Sequence, residues 1–428
     1  MRNARVLAMA GLTMASLLLA ACSGNSGGGS SASTGSLVVG AFNPFSGPDA
    51  SFGPEMMAGC IPAANTINKQ GGVLSHNLKC QEEDTRGDPA DAVPAANKMM
   101  ATTNNLVGVL GPSSDEALAT VPLLDQGKIP MFVDTGQAAF DQSKYSYFWR
   151  LTPADDVKGY ALALWAHNQR YTRAAAVFGN DVGSQSDVPT LVKAFTKLGG
   201  KIVSNQKIAL GQSSYRTEIE QMLATHPQVI FTEIDPQTAS TYLSELQQLH
   251  GMIPVIGTEI TLQGPWLKAV SQAIGPSDMA KFFTGMQPYA PPSGPAWNVY
   301  NSSLLAAKNQ VPSPKQWASD PYSMTYYDAV NVMGLAMIAA NSTSPEKFDP
   351  FITRVTAAGA GKTVVYDFAS GKSALGSGKQ IQYVGAGGPI AFNQWHNSTG
   401  AFEAAHYVSG KIHLVGSVSA NQITALTG

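Results

Sequence analysis

The sequence predicts an α/β protein made of two lobes in succession, each a doubly wound parallel sheet, with several chain segments forming the hinge. Three observations point there. From Leu37 to Gly257 short apolar runs alternate with amphipathic helical stretches, the pattern of parallel sheets covered by helices on both faces. The chain has 428 residues, too many for one compact core and suited to two. A single sheet holds about five or six strands, and the alternation supplies more than that before it changes after Phe283. The remaining segment is therefore expected to return and complete both lobes.

In the first unit, residues 37–42 form an apolar run of strand length. Residues 55–68 set Met57, Ile61, Ala64 and Ile67 at helical spacing, with Pro62 expected to kink the helix. Gly71-Gly72 breaks the chain. Strands are expected over 78–83, 107–110 and 129–133, and helices over 89–103 and 115–126. In the second unit, helices are expected over 155–169, 188–197, 215–224 and 239–249. Strands are expected over 174–178, 202–205, 229–234 and 255–257. Beyond Phe283, residues 296–308, 326–340 and 350–357 read as helices, and 385–418 as short strands split by turns.

The chain is expected to open on a leader. Arg2 and Arg5 flank the start of an apolar run of 14 residues, 6–19, too short to span a bilayer comfortably and right for a signal peptide. Leu19-Ala20-Ala21-Cys22 resembles the bacterial lipobox. That implies removal of residues 1–21 and diacylation of Cys22, and two acyl chains hold a protein stably on a membrane. An ordinary signal peptide with a chance cysteine is the alternative. Residues 22–36 continue as a Gly/Ser linker, a flexible coil with ends roughly 20 Å apart.

Composition narrows the partners. Without the leader's two Arg, 25 basic residues stand against 29 acidic ones. No basic stripe occurs, which argues against nucleic acid. Beyond the leader no apolar stretch approaches 18 residues, so the only membrane contact expected is the lipid anchor. With Cys22 assigned to lipid, Cys60 and Cys80 are the remaining pair. An oxidising compartment favours a disulfide between them; two buried thiols are the alternative.

Ligands of open parallel sheets bind outside the carboxyl ends of the strands. First-lobe loops at such ends carry Ser51-Phe52-Gly53, Gly111-Pro112-Ser113-Ser114-Asp115-Glu116 and Asp134-Thr135-Gly136-Gln137. Ser113 or Ser114 can cap the helix that follows. The free N–H groups and positive dipole end there form a carboxylate-sized socket, a plain cap being the alternative. Second-lobe loops place Asp181, Glu233, Asp235 and Glu259 at strand ends. Hydroxyls and amides on one side and acids on the other suit a zwitterion, with its carboxylate on the first lobe and its ammonium on the second. Each acid taken alone also fits a solvated loop residue or a helix cap.

Taken in order, several elements resemble the branched-chain amino-acid (Leu/Ile/Val) binding proteins of bacterial ABC importers, which have the type I periplasmic binding protein fold. They are Asn43-Pro44-Phe45-Ser46-Gly47 with Phe52-Gly53, then Ile67-Asn68 and Gly71-Gly72-Val73. Asp84 to Asp88-Pro89 follows, and then Gly111-Pro112-Ser113-Ser114 with Ile129-Pro130. Tyr327-Asp328-Ala329-Val330 and Gly385-Ala386-Gly387-Gly388 with Phe392-Asn393 complete the set. The resemblance implies two lobes joined by three hinge crossings and closing on a ligand. The first lobe would hold 37–152 with about 284–375, and the second 153–283 with about 376–428. It places Phe52 at the cleft rim, and Ser113 or Ser114 with Thr135 and Gln137 on a ligand carboxylate. Glu259 takes the ammonium, and Ile234 or Asp235 falls where the family has a second-lobe tyrosine. Next to Asp181, Val182 replaces another family tyrosine. The Gly111 loop is about two residues short, so Ser113 and Ser114 are not ranked.

The function implied is an extracytoplasmic, lipid-anchored, monomeric solute-binding protein. It captures an amino acid or similar small carboxylate and delivers it to an ABC permease, with no enzyme activity, cofactor or metal. A ligand-sensing lipoprotein of the same fold and a surface hydrolase are the alternatives. The seven His show no i, i+4 pair, which argues against a metal site. Gly359-Ala360-Gly361-Lys362-Thr363 has Thr356 where a phosphate loop needs glycine. Gly24-Asn25-Ser26-Gly27-Gly28 lacks the strand and helix that a nucleophile elbow needs.

Overall fold

The computed structural model describes residues 35–427 apart from Pro291 and Thr399. The expected leader, Cys22 and nearly all of the linker therefore lie outside the described residues. In the first lobe, β1 (Leu37–Asn43), β2 (Leu78–Asp84), β3 (Leu106–Leu110), β4 (Met131–Val133) and β5 (Phe148–Arg150) alternate with α1 (Phe52–Lys69), α2 (Pro89–Thr102) and α3 (Ser114–Gln126). The strands lie in the order β2-β1-β3-β4-β5, all parallel. β1 is buried at every position, as a strand covered on both faces must be. Its side chains alternate: Leu37, Val39 and Ala41 enter the core under α1, while Phe42 joins Val109 and Phe148 under α2 and α3. Cys60 and Cys80 form a disulfide that ties α1 to β2.

The second lobe begins with α4 (Asp155–Asn168), β6 (Arg173–Gly179), α5 (Val182–Ser186), α6 (Val188–Lys197), β7 (Lys201–Ile208) and α7 (Arg216–Leu223). It continues with β8 (Val229–Glu233), α8 (Pro236–Leu249), β9 (Val255–Gly257), α9 (Gly264–Ile274), α10 (Pro276–Phe282) and β10 (Phe283–Pro288). The chain then returns through α11 (Gly294–Ala306), α12 (Pro321–Ala340), α13 (Pro345–Phe348), α14 (Phe351–Thr356), β11 (Thr363–Val365), α15 (Phe368–Gly376), β12 (Ile381–Gly385) and β13 (Gly388–Pro389). It ends in β14 (Phe402–Val408), β15 (Lys411–Val418) and α16 (Ala420–Thr427). The second sheet runs β15-β14-β10-β9-β8-β6-β7, parallel from β10 to β7 and extended by the antiparallel β14–β15 hairpin. Here too the alternation splits the core: Ala174, Ala176 and Phe178 face one side, Ala175 and Val177 the other.

Both lobe boundaries differ from expectation. β10 pairs with β9 and β14, so the chain leaves the second lobe after Pro288 instead of at 283. The change of pattern after Phe283 marks the end of strand–helix alternation, not the end of the sheet. Tyr383, Ala386 and Ile390 pack in the first lobe's core with α12, so that lobe keeps the chain well past 375. The Asp328 carboxylate explains this. It accepts hydrogen bonds from Tyr383 Oη (2.8 Å), Ala386 N (2.8 Å) and Gly387 N (2.9 Å), fastening the β12–β13 turn to the buried helix α12.

Three segments cross between the lobes side by side. Ser398 N donates to Arg150 O at 2.8 Å, and Tyr289 N donates to Ala401 O at 2.8 Å. Arg150, only 1 % exposed, fixes the first crossing. Its guanidinium donates to Asn397 Oδ1 (2.9 Å), Asp141 Oδ1 (2.6 Å) and Gln137 O (3.2 Å). A buried guanidinium needs such a fork of acceptors.

Candidate ligand-binding site

Strand order decides where the cleft opens. β1 is flanked by β2 and β3, and β6 by β7 and β8, so the loops leaving these strands diverge and leave a crevice at each sheet's carboxyl edge. The crevices of the two lobes enclose a cavity of about 80 Å³, room for roughly five to eight waters. The first lobe lines it with Asp49, Phe52, Glu55, Ser113, Ser114 and Asp115, and with Asp134 and Gly136 after β4. The second lobe contributes Asp155 and Lys158 from the first turn of α4, and Asp181, Gly183 and Ser184 after β6. Glu233, Asp235, Glu259 and Gln263 follow β8 and β9, and Tyr322 reaches in from the first turn of α12. Gly111 (φ +92°) steers the Ser113–Ser114 turn over the end of β1. A Cβ there would lie 2.0 Å from Phe42 O, so the position requires glycine.

Of the residues expected from sequence, Phe52, Ser113, Ser114, Asp181, Asp235 and Glu259 line this cavity. Thr135 and Gln137 do not. Both are buried behind Ser114, whose hydroxyl donates to Thr135 Oγ1 (3.3 Å) and whose carbonyl accepts from Gln137 Nε2 (2.5 Å). Ser113 is already engaged: its Oγ donates to Glu116 Oε2 at 2.9 Å, while Thr85 Oγ1 donates to Glu116 Oε1 at 2.9 Å. Val182 is 49 % exposed and does not line the cavity; the neighbouring Gly183 does. Ile234 is buried in the second lobe's core, since strand alternation turns it from Glu233 toward Trp266, whose Nε1 donates to Ile234 O.

The expected split of polarity does not appear. The first lobe supplies Asp49, Glu55, Asp115 and Asp134, so carboxylates face the cavity from both sides. Sequence reading missed these four as ligand-facing, along with Asp155, Lys158, Gln263 and Tyr322. The Asp155–Lys158 pair one turn apart at a helix start was the visible signal for two of them. Among the described residues, Lys158 is the only Lys or Arg in the wall. Its Nζ faces Glu259 (2.9 Å), Asp187 (3.3 Å), Asp155 (3.5 Å) and Glu233 (3.5 Å). Burial lowers its pKa, but these four carboxylates outweigh that and hold it well above the usual value. Burial pushes Glu233 up to about 7, against the pull of Lys158. Burial, reinforced by the charges of Asp115, Asp181, Asp235 and Glu233, pushes Asp49 up to about 8. Two like charges 4 Å apart repel by about 4 kcal/mol at an effective dielectric of 20, so those acids of the wall that stay ionised disfavour a further carboxylate.

The lobes are closed on one another. Gly183 N donates to Asp115 Oδ1 at 3.0 Å, and Asp155 N to Gly136 O at 2.7 Å. Gln263 accepts from Ser51 Oγ (3.0 Å) and donates to Glu55 Oε2 (3.1 Å). Tyr322 Oη donates to Glu259 Oε1 at 3.0 Å. Each of these bonds joins one lobe to the other.

Comparison with known proteins agrees with this architecture. The family model described as periplasmic binding protein matches residues 36–401. The leucine-, isoleucine-, valine-, threonine-, and alanine-binding protein of Pseudomonas aeruginosa is 23 % identical over 306 residues, 71 % of this chain and 78 % of the relative. Another protein of that organism, named amino acid binding protein, is 23 % identical over 198 residues. That match covers 46 % of this chain and about half, 53 %, of the relative's length. In fold, the leucine binding protein LivK of Thermotoga maritima superposes with a TM-score of 0.72 at 15 % identity, over 90 % of this chain and 99 % of that one. A solute binding protein of R. palustris in complex with benzoate gives 0.71 at 17 % identity, over 90 % and 96 %. With its two doubly wound lobes, three crossings and an enclosed cleft between them, this chain belongs to the periplasmic binding protein family and has the type I fold.

Proposed function

We propose that this chain is the extracytoplasmic solute receptor of an ABC importer, capturing a small solute that bears an ammonium group and delivering it to a permease. The observation that carries this reading is the cavity at both strand-end crevices, sealed by hydrogen bonds from one lobe to the other. A solute in it makes contacts that only the closed form offers, and so shifts the lobes toward closure. The closed shape is what a permease then recognises. Glu259, Asp181 and Asp235 receive the ammonium. The relatives are named as binding proteins for amino acids and, in one structure, benzoate, which supports capture without chemistry. Residues 1–21 are removed, Cys22 is diacylated, and the linker tethers the lobes to the membrane.

A thermal-shift screen over amino acids, amines and aromatic acids tests capture. A ligand at 100 times its Kd stabilises by about 2.7 kcal/mol, a clear rise in melting temperature, and no response to any class refutes the reading. Cys22→Ala is expected to release the protein from membranes with its ligand response intact. Variant protein that still sediments with membranes rules out the anchor.

A further inference from the structure

We propose that the solute held in the cleft is a compact organic cation without a free carboxylate, such as a diamine or the amide of an amino acid. This rests on the cleft being the solute site. Nine residues of the cavity wall are Asp or Glu against one Lys, and that Lys158 already serves four carboxylates. No cation of the wall is left to seat a ligand carboxylate. The hydroxyls expected to do so are committed, Ser113 to Glu116 and Ser114 to Thr135. At the start of α3, Asp115 itself stands toward Asp181 and Asp49, so an anion there meets acids first.

A second observation is independent of this count. Glu55 is 2 % exposed and lines the cavity. Its Oε2 accepts from Gln263, and its carboxyl shares a hydrogen bond with the carboxyl of Asp320, so it has no acceptor to spare. Glu259 Oε2 and Asp235 Oδ2, by contrast, are buried acceptors without a donor. A buried acceptor left open is costly, and the N–H groups of a cation supply what is missing. The acids are spread around the wall: among the described residues no three acidic, His or Cys side chains converge to hold one metal ion. Dispersed acids of this kind fit a compact organic cation with several N–H donors rather than a single metal ion.

Calorimetry on the intact chain with leucine and leucinamide isolates the carboxylate, because the two differ only there; 1,4-diaminobutane and benzoate extend the series. The amide or the diamine is expected to bind at least roughly tenfold more tightly than leucine or benzoate. Asp49→Asn with Glu259→Gln is expected to weaken the cation by roughly tenfold, with melting of the free protein checked alongside. Rising salt should weaken the native protein's binding of the cation, a readout that needs no variant. Leucine or benzoate binding as tightly as the cations overturns the inference and leaves solute capture standing. A screen silent for every class overturns both.

Discussion

Lys158→Met removes the ammonium from a nearly dry cluster and leaves its carboxylates in place. In the native protein Nζ lies 2.9 to 3.5 Å from Glu259, Asp187, Asp155 and Glu233. Asp187 is fully buried and shares a hydrogen bond with Glu233, and Lys158 is the cation on which the cluster converges. Removing one partner of a buried ion pair costs about 3 to 5 kcal/mol, and that loss of stability is expected near neutral pH. The sign with pH is fixed by the carboxylates. Burial raises Asp187 well above its usual value and Glu233 to about 7, so the folded state holds protons that the unfolded chain releases. Their burden is absent below the unfolded carboxylate pKa of about 4 and grows as pH rises toward the folded values. Without Lys158 those values rise further, so the variant should lose less stability at about pH 5.5 than at about pH 8. Urea unfolding of both proteins at the two pH values measures this. A loss below about 1 kcal/mol, or an equal loss at both, refutes the charge accounting. Lys158→Met with Asp187→Asn should recover part of the loss.

Three further outcomes are expected. Gly136→Ala should hold the lobes apart, because its Cβ would lie 1.7 Å from Asp155 Oδ1; small-angle scattering would show a larger radius of gyration, and an unchanged radius with full ligand affinity refutes it. Replacing Cys60 and Cys80 by Ala should cost about 3 kcal/mol, from the loop closure over a separation of 20 residues; an unchanged urea midpoint contradicts this. Glu116, raised to about 8, and Asp328 and Asp349, each raised to about 7, all chiefly by burial, keep protons in the folded state. The urea midpoint of the ligand-free protein should therefore fall from about pH 5 to about pH 8, and a midpoint that rises over that range is incompatible with these buried acids.

Periodicity made the scaffold legible. The apolar run of β1 announced a strand, and the 3.6-residue spacing of α1 announced a helix, though of its expected inner residues Ala64 and Ile67 are buried while Met57 and Ile61 are only partly so. These signals are local: each reports the environment of one element, and neighbouring elements leave the same mark wherever they pack. Strand-end loops followed from the same pattern, and Phe52, Ser114, Asp181, Asp235 and Glu259 from those loops line the cavity. Within those loops, one residue of register decides which side chain faces it. Ile234 turns into the core while Glu233 and Asp235 line the cavity, and Val182 turns outward while Gly183 lines it.

What the chain's order of residues determined by itself was two doubly wound lobes and the loops that could meet a ligand; it offered Cys60 and Cys80 as a pair, and the fold joined them. Closure of one lobe on the other decided the rest. Asp49, Asp155, Glu233 and Tyr322 come from segments up to hundreds of residues apart, and nothing in their local spacing shows that they share one cavity. Electrostatic character depends on distances between such groups and on the water they exclude, and both exist only once the lobes have met. That is why a cleft expected to divide its charges between two lobes proves acidic on both.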